Sequence, residues 1–217
     1  PARQTTKGEP EPGMWVVKVG GPAYRIGMGG GAASSRADDG IRVEDKTKAA
    51  LDFNAVQRGD AEMENKMNRV IRACVELGDA NPIVSIHDQG AGGNGNVLKE
   101  ICEPLGAKLE VRAINSGDHT LSVLELWGAE YQENCALLLR PEHVGLFKEI
   151  CEREQSPCCF LGQVSGDGRL ILHDELDGSD PVDLPLDLVL GELPQRTFSS
   201  DRRPNALKPL VLPAGLG

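Results

Sequence analysis

Between residues 61 and 77 the apolar side chains Met63, Met67, Val70, Ile71, Cys74 and Leu77 recur three and four apart, the spacing of a helix with one buried face. Asp60 is placed to cap its first turn, Glu62 and Glu64 suit the positive end of its dipole, and Gly78 can end it. Strands are expected over 14–19, 83–86, 108–112 and 134–139, the last of them a continuous apolar run. Further helices are expected over 96–102, stopped by Pro104, over 121–126 with Thr120 as cap, and over 143–154, where Val144, Phe147, Ile150 and Cys151 share a face. Residues 158–164 and 169–173 read as a hairpin about Gly166-Asp167-Gly168, and a short strand after Pro181 leads into an apolar segment at 186–190. Helices alternating with strands, plus one hairpin, predict an α+β (layered α/β) domain: a mixed β-sheet packed by helices.

The flanks have a different texture. Residues 1–13 are rich in Pro, Gly, Glu and Lys, and residues 195–217 are Pro-rich, so both read as linkers around a domain of residues 14–194. The chain opens on Pro1, which makes the first segment resemble a linker within a longer polypeptide. Residues 36–48 are charged and poor in apolar side chains, as an exposed excursion would be.

Two glycine-rich runs carry the candidate chemistry. The first, Gly20 to Ser35, places six glycines and the serines Ser34 and Ser35 directly after the strand-like Val16-Val17-Lys18-Val19. Backbone without side chains lets successive N–H groups converge on an anion, so Gly29, Gly30, Gly31, Ser34 and Ser35 are candidate phosphate contacts. The run matches neither the P-loop nor the dinucleotide-binding fingerprint, and on its own it reads equally as a surface turn. The second run repeats the grammar: strand 83–86, the ionisable pair His87-Asp88, then Gly90, Gly92 and Gly93 leading into a helix. An Asp at a strand end before glycines is a common way to present a hard oxygen ligand to Mg²⁺, and makes Asp88 the candidate metal residue. The competing role for Asp88 is to cap the turn. His87 is either a general base or a hydrogen-bonded structural histidine, with the structural role preferred.

Composition narrows the ligands. The 217 residues carry 23 Lys and Arg against 33 Asp and Glu, a formal charge of −10, and aromatics make up only 4%. A chain this acidic and this poor in stacking rings is not built for a nucleic acid. An anionic ligand must be held locally, by backbone N–H groups, a metal ion or a few chosen Arg and Lys. The cysteines at 74, 102, 135, 151, 158 and 159 follow no disulfide or metal spacing and read as thiols of a reducing compartment, with Cys135 a core residue rather than a nucleophile. No apolar run has transmembrane length, and the expected setting is cytoplasmic.

Three segments, in order, resemble one family: Gly29-Gly30-Gly31-Ala32-Ala33-Ser34-Ser35, then Asp52 to Glu64 with Val56-Gln57-Arg58-Gly59-Asp60 at its centre, then His87-Asp88-Gln89-Gly90-Ala91-Gly92-Gly93 continuing to Gly128-Ala129-Glu130-Tyr131-Gln132-Glu133. The likeness spans nearly everything from Gly13 to about Pro194. It is similar to the large, single-chain phosphoribosylformylglycinamidine synthases, and more narrowly to the C-terminal domain of the first half of their synthetase core, within the aminoimidazole ribonucleotide synthetase superfamily. The resemblance implies that Gln57, Glu130, Tyr131 and Gln132 meet the ribonucleotide substrate and that Asp88 is a Mg²⁺ ligand. Tyr131 departs from the Ser often found at its position. The implied reaction consumes ATP and glutamine to convert formylglycinamide ribonucleotide into the formylglycinamidine. The second synthetase half and the glutaminase would be supplied by other domains of the polypeptide, so the chain alone is expected to be inactive and to hold no complete catalytic set. Two alternatives stay open: a noncatalytic nucleotide-binding or scaffolding half of a pseudo-symmetric synthetase, and a sister enzyme of the same superfamily.

Overall fold

The computed structural model describes residues 6–26, 59–191, 197 and 199–201. Its centre is a seven-stranded sheet: β1 (Trp15–Gly20), β2 (Ile83–Asp88), β3 (Gly106–Glu110), β4 (Asn134–Leu139), β5 (Cys158–Val164), β6 (Arg169–Asp174) and β7 (Ser179–Pro185). The spatial order is β2-β4-β1-β5-β3-β6-β7. All neighbours are antiparallel except β3 and β6, so the sheet is mixed, as the pattern predicts.

Helices cover both faces. Helices α1 (Ala61–Glu76) and α4 (Val144–Glu154) lie on one side, where Met67, Val70 and Cys74 meet Phe147, Ile150 and Cys151 over Val17, Val19, Leu137 and Leu139. On the other side α2 (Gly93–Ile101), α3 (Val123–Gly128) and the short α5 (Leu186–Leu190) close the larger core around Val97, Leu98, Leu126, Leu138, Leu109 and Leu172. β4 is buried at every position because helices cover both its faces, and that accounts for its unbroken apolar run. Among the described residues no helix is long and apolar enough to cross a membrane.

Several expectations hold closely. Asp60 caps α1 by accepting from the N–H groups of Glu62 and Met63, and Gly78 follows in a left-handed conformation at φ +62°. Others are corrected. The expected hairpin of β5 with β6 does not form: β3 lies between them, antiparallel to β5 and parallel to β6. The turn that suggested a hairpin instead crosses over the start of β3, with Ser165 N donating to Gly106 O and Gly168 N to Leu105 O. The hairpin partner of β6 is β7. α3 begins one turn-half later than expected, because Ser122 and Glu125 form a reciprocal capping box, whereas Thr120 bonds to Asp118 and Arg25. β3 ends at Glu110, where the Glu110 carboxylate accepts from Arg112 N and tightens residues 111–113 into a single 3₁₀ turn.

That turn is tied to the end of β6 by a two-point ion pair, Arg112 Nε and Nη2 donating to the Asp174 carboxylate at 2.8 and 2.5 Å. Asp174 also accepts from Leu176 N, and the Arg112 bonds hold its carboxyl down at about 2. A carboxyl with a folded-state pKa below its unfolded one adds stability that is present above about pH 4 and lost as the pH falls towards 2. Asp174→Asn should therefore lower the urea midpoint at pH 7 and flatten the decline in that midpoint between pH 4 and pH 2, read by circular dichroism at each pH.

Candidate functional site

β1 and β2 both run antiparallel to β4, so their C-terminal ends lie beside its start: Gly20 faces Asn134, and Asp88 faces Cys135. Three sequence signals thus meet at one end of the sheet. They are the exit of β1 into the first glycine run, the His87-Asp88 pair with the second glycine turn, and the segment Glu130 to Glu133. The N-terminus of α1 joins them, since Gly59 approaches the Glu133 carboxylate and Asp60 N–H donates to it.

Backbone bonds clamp this junction. Gly21 N donates to Glu133 O at 3.2 Å and Gln89 N to Asn134 O at 3.0 Å, and Asn134 Nδ2 donates to both Gly21 O and Gln132 O. Gly20, at φ +130°, passes so close to the 133–134 backbone that a Cβ would lie 2.0 Å from Glu133 O. The second glycine turn is equally tight. Gly93, at φ +60°, opens α2 against the 128–129 backbone, where a Cβ would sit 2.2 Å from Ala129 O. This packing starts α2 at Gly93, ahead of the expected residue 96, although glycine is a poor helix former.

The candidate residues differ in what they offer. Asp88 points its carboxylate into solvent, its side chain 90% exposed. His87 is engaged at both ring nitrogens, Nδ1 against the Asp88 carbonyl at 2.8 Å and Nε2 against the Glu100 carboxylate at 2.8 Å, which links β2 to α2 and favours the structural role. Glu130 is buried and Gln132 half-buried at the same end of the sheet. Tyr131 is 2% exposed, its hydroxyl donates to Glu125 O, and burial pushes its pKa up to about 12, so its role in this structure is to brace α3. Arg25, next to the glycine run, is engaged with Glu125 and with Thr120 and directs residues 23–26 along α3. Gln57, Gly29, Gly30, Gly31, Ser34 and Ser35 lie outside the described residues.

Cys135 is core, its thiol pushed up to about 11 by burial, and no disulfide joins the six cysteines. Among the described residues no three His, Cys, Asp or Glu side chains gather closely enough to hold a metal ion unaided. A solvent-facing carboxylate at a strand end nevertheless fits Mg²⁺, which commonly takes one or two carboxylates and completes its shell with substrate phosphates and water.

Residues 11–175 match the family model for AIR synthase related protein, C-terminal domain. The chain belongs to this family. It is 57% identical over 217 residues to a phosphoribosylformylglycinamidine synthase of Dictyostelium discoideum and 51% identical over 230 residues to one of Homo sapiens, in each case along 99% of its length. It spans about a sixth of those proteins, 16% and 17%. Among solved structures, T. maritima PurL complexed with FGAR matches with a TM-score of 0.71 at 21% identity, over 92% of this chain and 31% of that one, a likeness of fold.

Within this AIR synthase related domain, sequence reasoning missed Glu133, Lys18, Gln89 and Asn94. Glu133 adopts φ +53°, its carboxyl is raised by burial and by the nearby Glu64 and Asp60 charges, and its Oε2 is buried without a hydrogen-bond partner among the described residues. Nothing in sequence marks that conformation. For Lys18 the sequence does hold a signal, one charge inside an apolar strand.

The contact of Gly93 with Ala129 makes a prediction of sign. Gly93→Ala should destabilise the domain by roughly 2 kcal/mol or more, combining left-handed strain with a backbone clash. Gly145→Ala, in α4 where an added Cβ meets nothing within 4 Å, should instead stabilise it by about 0.5 kcal/mol. Urea unfolding of both variants checks the contrast.

Proposed function

We propose that the chain is the C-terminal-type domain of the first synthetase half of a phosphoribosylformylglycinamidine synthase, a ligase of purine biosynthesis that uses ATP and glutamine to convert formylglycinamide ribonucleotide into the formylglycinamidine. The observation that carries this reading is the convergence of β1, β2 and the Glu130–Glu133 segment at one end of the sheet, in a chain more than half identical to such enzymes along nearly its whole length. T. maritima PurL, with the same fold, has been solved with FGAR and with ATP. The reading takes a cytoplasmic setting, which the free thiols support.

In this proposal ATP phosphorylates the amide oxygen of the ribonucleotide and ammonia from glutamine displaces that phosphate. The chain's contribution is to bind and orient. Glu130 accepts hydrogen bonds from the ribonucleotide and Gln132 accepts or donates them, Gln57 adds a third contact, and Gly29 to Gly31 with Ser34 and Ser35 receive its 5′-phosphate on backbone N–H groups and hydroxyls. Asp88 is the residue that would hold Mg²⁺, which when bound offsets the negative charge of the phosphates. The ATP pocket, the ammonia source and the rest of the metal shell come from other domains of the polypeptide. A second reading is a half that holds a nucleotide without turning it over.

The two readings separate in the full-length enzyme. Asp88→Asn removes one charge from an exposed side chain, so turnover should fall and the Mg²⁺ requirement rise with the thermal midpoint unchanged. Normal Mg²⁺ dependence and turnover would favour the noncatalytic half. Gln132→Ala deletes one neutral hydrogen bond, on the order of 1 kcal/mol, and should weaken ribonucleotide binding roughly fivefold in calorimetry while leaving ATP affinity in place.

A further inference from the structure

Side chains alternate across β1, so Lys18 shares a face with Val16 and extends into the core beneath α2, while Val17 and Val19 face α1 and α4. It is 3% exposed. Among the described residues it makes no ion pair, and its ammonium is met by two neutral oxygens, Gln89 Oε1 and Asn94 Oδ1, the latter at 2.7 Å. Burial lowers its pKa to about 8. A buried ammonium without a carboxylate is an expensive way to hold a core together, since apolar side chains of similar volume would do so at least as well.

What the ammonium does connect is specific. Gln89 passes the link to Ala129 O through Nε2 at 3.4 Å, and Asn94 passes it to Leu126 O through Nδ2 at 2.7 Å. Gln89 belongs to the turn that follows Asp88, Asn94 opens α2, and residues 126–129 lead directly into Glu130 and Gln132. The adjoining cavity, lined by Lys18, Gly20, Asn94, Tyr131 and Asn134 among others, has a volume of about 10 Å³, enough for about one water. A ribonucleotide cannot enter it, so Lys18 acts on the site through its partners.

We propose that Lys18 is a positioning residue for the ribonucleotide site: its buried ammonium, shared between Gln89 and Asn94, sets the spacing between the Asp88 turn and the Glu130–Gln132 segment. The inference rests on the reading under Proposed function. Metal-bearing turn and substrate-bearing segment come from different parts of the chain, and this network is a side-chain link between them that adds to the backbone bonds of the junction.

The test uses two variants of the full-length enzyme. Lys18→Met with Gln89→Met replaces both ends of one buried hydrogen bond together, although Asn94 Oδ1 loses its Lys18 donor, and Gln89→Leu alone removes one strut while Lys18 keeps Asn94. Each should raise the KM for formylglycinamide ribonucleotide at least tenfold, with the ATP KM and the glutaminase rate within twofold of wild type and the thermal midpoint within a few degrees. A folded variant with a wild-type ribonucleotide KM overturns the proposal. Failure of both variants to fold, or an equal rise in the KM for ATP, also overturns it, by making the network a general support of the fold. Absence of ribonucleotide-dependent ATP consumption in the wild-type protein would instead overturn the functional reading itself.

Discussion

The pairing of β4 with both β1 and β2 is the constraint on which the site depends. Because each neighbour runs antiparallel to it, the same end of the sheet receives the last residues of β1, the last residues of β2 and the entry to β4. These segments span more than a hundred residues of sequence, yet Gly20, Asp88 and Asn134 are brought to one end of the sheet by strand pairing. β4 tolerates this place because its five apolar side chains, Cys135 to Leu139, are accepted by apolar layers on its two faces, while Asn134 at its start bonds to the Gly21 and Gln132 carbonyls. A slip of one residue in its register would exchange those faces and separate the site segments together.

Close backbone approach is the second requirement of the same junction. Gly20 and Gly93 each sit where a Cβ would collide with a carbonyl, Gly20 at the start of the first glycine-rich run and Gly93 at the end of the second. Glycine here serves packing as well as ligand access. Gly20 lets the end of β1 lie against the 133–134 backbone, and Gly93 lets the start of α2 lie against the 128–129 backbone.

Charge is distributed with the same economy. The chain is acidic overall, and its described arginines are engaged by carboxylates, as Arg112 is by Asp174 and Arg25 by Glu125. At the site end the arrangement differs. Burial and the nearby Glu64 and Asp60 charges raise the Glu133 carboxyl, while the nearby buried cation, Lys18, is held by amides. An anionic substrate arriving there would rely on backbone donors and on a cation brought by the site, which agrees with a metal-dependent reading of Asp88.

Local pattern determined much of this architecture. Helix α1 with its Asp60 cap, the apolar run of β4 and the amphipathic face of α4 are encoded by neighbours in sequence, where periodicity and capping chemistry act over a few residues. The three glycine and carboxylate motifs were equally legible, because each is contiguous. What tertiary structure decided were the relations between distant segments. A Gly-Asp-Gly turn between two strands looks the same whether they pair or whether β3 comes between them, and only the sheet order settled that β6 pairs with β3 and β7. Helix α2 begins on glycines because the 128–129 backbone lies against them, a contact that intrinsic propensity does not contain. Tyr131 is written beside Glu130 and Gln132, but its ring turned inward to α3. Lys18 is one charge among valines, but its partners, Gln89 and Asn94, lie more than seventy residues away and become its neighbours only when β1, β4 and β2 align.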